Sequence, residues 1–479
     1  MHSTDRAAAE LPLYQEVADK IARLIGEGVL RPGERVSSLR KVADQYGVSL
    51  TTAIQAFILL EDRGLVEARP KSGFFVRVPA TLPREPKMVR PPRAVTAVTV
   101  GALQSRLFDA AMLPHLLPLG GAVPAPELLP MVKLNRVLAA VARRAGRSGV
   151  SYNMPPGSEA LRREISKRVM NAGATVLPQE IITTSGATEA LMLCLRAVTV
   201  PGSVVAVESP TYFGVLHALE ELRLKAIEIP THPREGMDLD ALTKVLRTRS
   251  VAACLAVPSF SNPLGALMPD ANKERLVQML AERDVPLIED DVFGELYHGQ
   301  HRPRLAKGYD EKGLVMLCSS FSKSLAPGYR VGWTAPGRFY ERVKSLKLTS
   351  TLATATLPEL AVAEFLANGG YDHYLRSARA FYAANVQRVG RAVAAAFPSG
   401  TKVTQPQGGF VLWVEMPAGV DALRLQDEAL ARDINIAPGP MFSPVQGYRN
   451  CIRISCGVPW TPRLQEAVQT LGMLAGRHL

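Results

Sequence analysis

A small, mainly helical head followed by a large α/β body is the fold class that this 479-residue chain predicts. Three observations predict it. Residues 11–78 carry short amphipathic helical patterns that end in a glycine-punctuated hairpin pattern. Residues 79–115 open with a proline-rich, basic stretch. From 116 to 479, near-continuous apolar and β-branched runs alternate with longer amphipathic stretches. That alternation belongs to a mostly parallel sheet covered by helices on both faces.

In the head, LYQEVADKIARLIGEG (13–28) places Val17, Ile21, Leu24 and Ile25 on one helical face, and LRPG then breaks the helix. SLRKVADQYGVS follows as a short helix, a turn at Gly47, and Ser49 as N-cap of the next helix. That helix, TTAIQAFILLEDRG, carries Ile54, Phe57, Ile58 and Glu61 at helical spacing and stops at Gly64. LVEARPKSGFFVRV reads as a hairpin with Arg69, Lys71 and Ser72 at its tip. The order is that of a winged helix-turn-helix, an α+β unit whose second paired helix enters a DNA groove. Any small three-helix domain is the bland alternative.

The 79–115 segment holds Pro79, Pro83, Pro86, Pro91 and Pro92, which forbid a regular helix there. It reads as a semi-rigid linker. Its cations Arg84, Lys87, Arg90 and Arg93 face only Glu85, and with Arg69, Lys71 and Arg77 they suit phosphate neutralisation.

The body's strands are expected at 180–185, 203–208, 225–230, 251–258, 285–290 and 314–320, with helices at 187–199, 211–223, 238–248 and 271–283. Residues from about 350 to 479 read as a smaller α/β lobe. Ligands of such sheets sit at the carboxyl ends of the strands.

Composition narrows the function. A net charge of +12 suits a polyanionic partner without requiring one. Cys194, Cys254, Cys318, Cys451 and Cys456 form no CxxC pair, and the histidines lack metal-ligand spacing. No metal is expected. No apolar run approaches a membrane span, and the N-terminus lacks a signal-peptide core. A cytoplasmic location is expected.

Four motifs carry chemistry. SSFSKSLAPGYRVGW (319–333) follows a strand with hydroxyl residues Ser320 and Ser322, then Lys323 and Arg330. A lysine kept nucleophilic by cationic neighbours and desolvation forms Schiff bases, and hydroxyl and guanidinium groups bind phosphate. TTSGATEALML places Gly186, Ala187 and Thr188 at a helix N-terminus, where backbone N–H groups also bind phosphate. PSFSNPLG offers Asn262 at a strand end. PLIEDDVFGELY ends a strand in Glu289, Asp290 and Asp291, and an acid there can protonate a pyridine nitrogen. Each motif alone is weak.

Taken in order, the head motifs resemble the GntR family of winged helix-turn-helix regulators. That resemblance implies that Arg40 contacts the DNA backbone or a base edge. It sets Ser49, Thr51, Thr52 and Gln55 at the start of the recognition helix, with the wing around Gly73 reaching the minor groove. Ser37 and Leu50 depart from the family's usual proline and arginine.

SGATEAL, SNPLG, EDD, SFSKSLAPGYRVGW and RNCIRIS, over roughly 118–475, resemble fold-type I pyridoxal 5'-phosphate enzymes of the class I aminotransferase group. By that resemblance Lys323 is the Schiff-base lysine, Asp290 pairs with the pyridine nitrogen and Asn262 faces the ring hydroxyl. Gly186, Ala187, Thr188, Ser320, Ser322 and Arg330 surround the phosphate, and Tyr212 stacks on the ring. Tyr152 reaches the phosphate of a neighbouring subunit, which implies a homodimer, and Arg453 grips a ligand carboxylate. Val292 stands where many relatives carry a tyrosine that bonds the ring hydroxyl. A GntR head on such a body resembles the MocR-type regulators. The implied function is a regulator that binds double-stranded operator DNA. It would sense a small amino compound, bearing a carboxylate, by exchange of the Schiff base at the cofactor. The alternative is a working aminotransferase that carries a DNA-binding head.

Overall fold

The computed structural model describes residues 12–62, 64–69, 72–77, 84–111 and 113–479. The chain divides into two compact units, Met1–Leu82 and Pro83–Leu479.

In the first unit, helices α1 (Leu13–Gly26), α2 (Leu39–Tyr46) and α3 (Leu50–Asp62) precede a hairpin of β1 (Val66–Arg69) and β2 (Gly73–Val76). Ser38 Oγ accepts the Lys41 N–H (3.4 Å) to start α2, and Gly47, at φ 65°, ends it in a left-handed turn. Ser49 Oγ accepts the Thr52 N–H (3.1 Å) and starts α3. Val17, Ala18, Ile21, Val42, Ala53, Ala56, Phe57 and Leu60 bury together with Val66 and Val76 of the hairpin. Of the apolar series expected along α3, Phe57 joins this core, whereas Ile54 and Ile58 face solvent.

The linker expected at 79–115 is corrected from Arg84 onward, because these residues are built into the body. Arg84 O accepts the Val403 N–H (3.1 Å), and the Glu85 carboxylate accepts the Gln405 N–H (3.0 Å) and pairs with Arg234. The prolines exclude helix, but the β-branched run after them adds β3 (Val95–Ala97) to a sheet edge, and α4 (Gly101–Ala111) follows. Glu220 Oε2 accepts the N–H groups of Val100 (2.8 Å) and Gly101 (2.9 Å) at the start of α4. Residues 79–83 of the expected linker, and residues 11 and 78 of the expected head, lie outside the described residues.

The body's strands are β4 (Leu117–Pro118), β5 (Ile182–Thr184), β6 (Val204–Ser209), β7 (Lys225–His232), β8 (Gly236–Met237), β9 (Ala253–Ala256), β10 (Leu287–Asp290), β11 (Val315–Ser320) and β12 (Gly332–Ala335). The main sheet runs β3-β7-β6-β9-β10-β11-β12-β5, with β8 beside β7. Its centre, β7-β6-β9-β10-β11, is parallel, while β3, β12 and β5 pair antiparallel with their neighbours. The central strands bury both faces, which is why they read as unbroken apolar runs rather than alternating ones.

A second sheet of β13 (Lys402–Val403), β14 (Val411–Glu415), β16 (Ala437–Pro438) and β17 (Cys451–Ser455) forms the smaller lobe, and β15 (Ile434–Asn435) pairs in parallel with β4. The lobe therefore recruits chain from far before residue 350. Leu119 O accepts the Ser455 N–H (2.8 Å) and the Ala125 N–H donates to Gly457 O (2.8 Å). These bonds hold the GGA segment, residues 120–122, against the carboxyl ends of the main strands.

Candidate functional site

A cavity of about 190 Å³ opens at the carboxyl ends of β6, β9, β10 and β11. Ala187, Thr188, Tyr212, Asn262, Asp290, Ser320, Ser322, Lys323, Arg330 and Arg453 all line it.

Strand geometry decides which of three consecutive acids enters the cavity. Glu289 points away and accepts the N–H groups of Ala306 and Lys307 (both 2.8 Å). Asp291 pairs with Arg302 (2.5 Å). Asp290 alone faces the cavity, its Oδ1 accepting the Val292 N–H (3.2 Å). Burial pushes its carboxyl up to about 7, opposed by the Val292 N–H and by Lys323 and assisted by Asp291. Glu208 on β6 is fully buried near it. One oxygen accepts the Val257 N–H (3.1 Å), and burial pushes this acid up to about 8.

Lys323 follows β11, and its Nζ donates to Ala122 O (2.7 Å). Burial pushes the amine down to about 8. Arg453 and Arg330 add to that shift, and Asp290 opposes it. An amine in that range is partly neutral near pH 7–8, the state that attacks a carbonyl.

Arg330 sits at φ 54° after the proline-glycine turn. It donates to Ser322 Oγ (3.1 Å) and Ser185 O (3.0 Å). This places the guanidinium against the N-terminus of the helix Ala187–Val198. Gly186, at φ 92°, caps that helix, and a Cβ there would lie 2.2 Å from Arg330 Nη2. The glycine is thus what lets a guanidinium and a helix N-terminus share one anion position.

Arg453 on β17 is fully buried. It donates to Asn262 Oδ1 (3.0 Å) and to Gly120 O, and stands 5.2 Å and 5.5 Å over the rings of Phe442 and Phe213. Burial pushes it down to about 10, which Tyr212 opposes, and its Nε lacks a hydrogen-bond partner among the described residues. Lys323 and Arg453 are thus both held by carbonyls of the GGA segment.

An anion cradle, a buried amine, an acid opposite and the wall of Tyr212 are the donor set that pyridoxal 5'-phosphate requires, and the room kept at Gly186 suits its phosphate. Residues 128–471 match the aminotransferase class I and II family, and residues 13–76 match the gntR family of bacterial regulatory proteins. The HTH-type transcriptional regulator YdcR of Escherichia coli (strain K12) is 39% identical over 467 residues, covering 97% of this chain and 99% of its own. The chain belongs to the MocR-type regulators.

A second relative, the HTH-type regulator YjiR of the same organism, is 35% identical over 459 residues and covers 96% of this chain and 98% of its own. Among solved structures, the α-aminoadipate aminotransferase LysN of Thermus thermophilus, complexed with N-(5'-phosphopyridoxyl)-L-leucine, matches with a TM-score of 0.72 at 30% identity. It covers 79% of this chain and 96% of that one. Pyridoxal 5'-phosphate is the cofactor of a MocR-type body.

The MocR-type head shows its expected residues differently. Arg40, Thr51 and Gln55 are exposed. Ser49 and Thr52 engage each other, their hydroxyls 2.8 Å apart, at the start of α3. Arg69 pairs with Glu67 (2.8 Å) and stacks 4.3 Å from the Phe75 ring centroid. Gly73, at φ 93°, lies over the Arg35 guanidinium, and Lys71 lies outside the described residues. Tyr152 is 77% exposed and does not line the cavity of its own chain.

Sequence reasoning missed Leu107, which reaches the cavity from α4 inside the supposed linker. The helical spacing of Leu103, Leu107 and Ala110 was the available signal. Glu208, a buried strand-end acid that does not line the cavity, has no motif of its own in the sequence. Among the described residues, no helix is long and apolar enough to cross a membrane, and no cluster of histidine, cysteine or acidic side chains is arranged to hold a metal.

Proposed function

We propose that this regulator binds operator DNA through its head and senses a small primary amine bearing a carboxylate at the cavity of its body. It would act as a cytoplasmic homodimer. One observation carries the reading: Lys323, Asp290 and Arg453 converge on a single buried cavity. A covalent anchor, an acid and a carboxylate clamp therefore face the same small volume.

Pyridoxal 5'-phosphate, when bound, supplies an aldehyde that captures primary amines and a ring that withdraws electrons. Lys323 would hold its aldehyde carbon. Asp290 would hold the proton on its ring nitrogen, and Asn262 would face its hydroxyl. The N–H groups of Ala187 and Thr188, with Ser320, Ser322 and Arg330, would hold its phosphate, and Tyr212 would stack on the ring. Arg453 exchanges its bonds to Asn262 and Gly120 for a ligand carboxylate, which is why its burial without an acidic partner favours an anionic ligand. Val292 lines the cavity and offers no hydroxyl in place of the family's tyrosine. The exposed run Val150, Tyr152 and Met154 suits cover by a second copy. In the head, Arg40 would contact the DNA backbone or a base edge, Arg69 and Lys71 would neutralise phosphates, and the wing around Gly73 would reach the minor groove. The first turns of α3, with Ser49, Thr51, Thr52 and Gln55, would enter the groove.

For the effector to switch DNA binding it must favour one conformation of the dimer over the other; affinity alone shifts nothing. The test is an absorbance spectrum before and after borohydride, alongside Lys323→Ala. DNA binding is then followed by fluorescence anisotropy as amino compounds are titrated. A band trapped by borohydride, absent in the variant, and an amine that moves both spectrum and anisotropy support the reading. A colourless protein that cannot be reconstituted overturns it.

The complete set of Lys323, Asp290 and Arg453 also favours a second reading, a working aminotransferase. Multiple turnover with pairs of amino acids and keto acids would establish it, and single turnover alone would leave the sensor.

A further inference from the structure

Helix α3 has two apolar faces. Ala53, Ala56, Phe57 and Leu60 are fully buried against the head's core. Leu50, Ile54 and Ile58, spaced four apart along another side of the helix, are 45%, 39% and 52% exposed. A single exposed leucine needs no explanation, but a file of three along one helix does.

The polar groups of this helix are fewer than its sequence offers. Ser49 and Thr52 spend their hydroxyls on each other and on the Thr52 N–H at the helix start. Thr51 and Gln55 remain as exposed polar side chains in the first two turns, interleaved with Leu50 and Ile54. A surface of two hydrogen-bonding and two apolar side chains therefore leads the helix.

The major groove of DNA has one apolar feature on its base edges, the C5-methyl of thymine. We propose that Leu50 and Ile54 read thymine methyl groups in each operator half-site, while Thr51 and Gln55 hydrogen-bond to neighbouring base edges. This rests on the DNA-binding reading above. Charge favours DNA over a second protein as the occupant. Arg40 and Lys41 stand exposed on α2, which packs against α3, and neither has an acidic partner among the described residues. Recognition by methyl contact also predicts a specific chemical sensitivity: removing the methyl and nothing else weakens binding.

The test begins by enriching bound duplexes from a random library with the full-length protein. Each thymine of the enriched site is then replaced, one at a time, by deoxyuridine, which lacks only the methyl. The expected result is a loss of about three- to tenfold in affinity at one or two thymines per half-site, the effect of uncovering one methyl-sized apolar contact. Leu50→Ala and Ile54→Ala should each abolish the thymine–uracil difference at one of those positions, while the salt dependence of binding, set by phosphate contacts, stays unchanged. The wild-type deoxyuridine scan stands by itself should a variant fail to fold.

The proposal is overturned if no thymine in the site distinguishes the two bases, or if Leu50→Ala and Ile54→Ala keep the full difference. It is equally overturned if those variants change only the oligomeric state, which would assign the apolar file to a protein contact. Failure of the library to yield any preferred sequence would remove the DNA-binding reading itself, a result distinct from sequence-specific binding that ignores the methyl.

Discussion

Head and body meet recognition with opposite physics. The head's candidate groups, Arg40, Thr51, Gln55 and Arg69, stand in solvent. In the body Asp290 and Arg453 are buried and Lys323 is half-buried, and burial drives these cavity charges toward neutrality, Asp290 upward and Lys323 and Arg453 downward. Water screens the first set, and low dielectric amplifies the second. The comparison teaches that salt should control the head and pH the body.

The largest expected effect breaks the body side outright. Lys323→Ala should eliminate the borohydride-trappable absorbance band, leaving DNA affinity in the absence of effector within a few-fold of wild type. Next is Gly186→Ala. A Cβ 2.2 Å from Arg330 Nη2, on a residue at φ 92°, must displace the guanidinium or the helix start. Cofactor affinity should fall by about tenfold or more, read by equilibrium titration.

A pH series sharpens the contrast. In cofactor-free protein the Lys323 amine titrates at about 8, so the rate of cofactor capture should rise with pH and level off above that value. Arg453→Met removes a cation that lowers it, so the midpoint should move upward; an unmoved midpoint would deny the coupling. Stability offers a related check. Burial raises the acids Glu208 to about 8 and Glu289 and Asp290 to about 7, so the folded body binds protons that the unfolded chain releases above its ordinary carboxyl range. Body stability should therefore fall as pH rises from about 4.5 towards 8, and Glu208→Gln should flatten part of that slope, on the order of a few kcal/mol. The smallest effect lies in the head. Ser49→Ala loses the cap of α3 and should cost roughly 1 kcal/mol of head stability, with little dependence on pH.

Much of this arrangement was legible in the sequence, and the exceptions have physical causes. All six runs expected as strands contain strands, because a strand buried on both faces must be apolar throughout. β3 and β12 run against the other strands of the main sheet, but strand direction leaves no mark on a short run. The segment after Arg84 was misread because prolines that exclude helix also occur in chain packed on a surface; the VTAVTV run and Leu107 carried the contrary signal. Ile54 and Ile58 fit the helical spacing of a core, yet a spacing of four does not say which of two apolar faces turns inward. The cavity residues were legible as an ordered set of motifs. That Glu289 and Asp291 serve other partners was not, since three consecutive acids do not show which partners wait on the strand's other face.

That last ambiguity has a consequence for how such a site can vary. A strand has a parity: even and odd positions belong to different compartments. In β10 one parity opens on the cavity, while the other faces Arg302 and the N–H groups of Ala306 and Lys307. Sliding the strand by one residue would not weaken the site gradually. It would bring Glu289, the acceptor of the Ala306 and Lys307 N–H groups, into the cavity and send Asp290 to Arg302. After such a slip each face would still carry a carboxylate, but Ile288 or Val292 would stand where Glu289 or Asp291 now meets its partner. Variation here is quantised in steps of two residues, whereas the exposed face of α3 can change one side chain at a time.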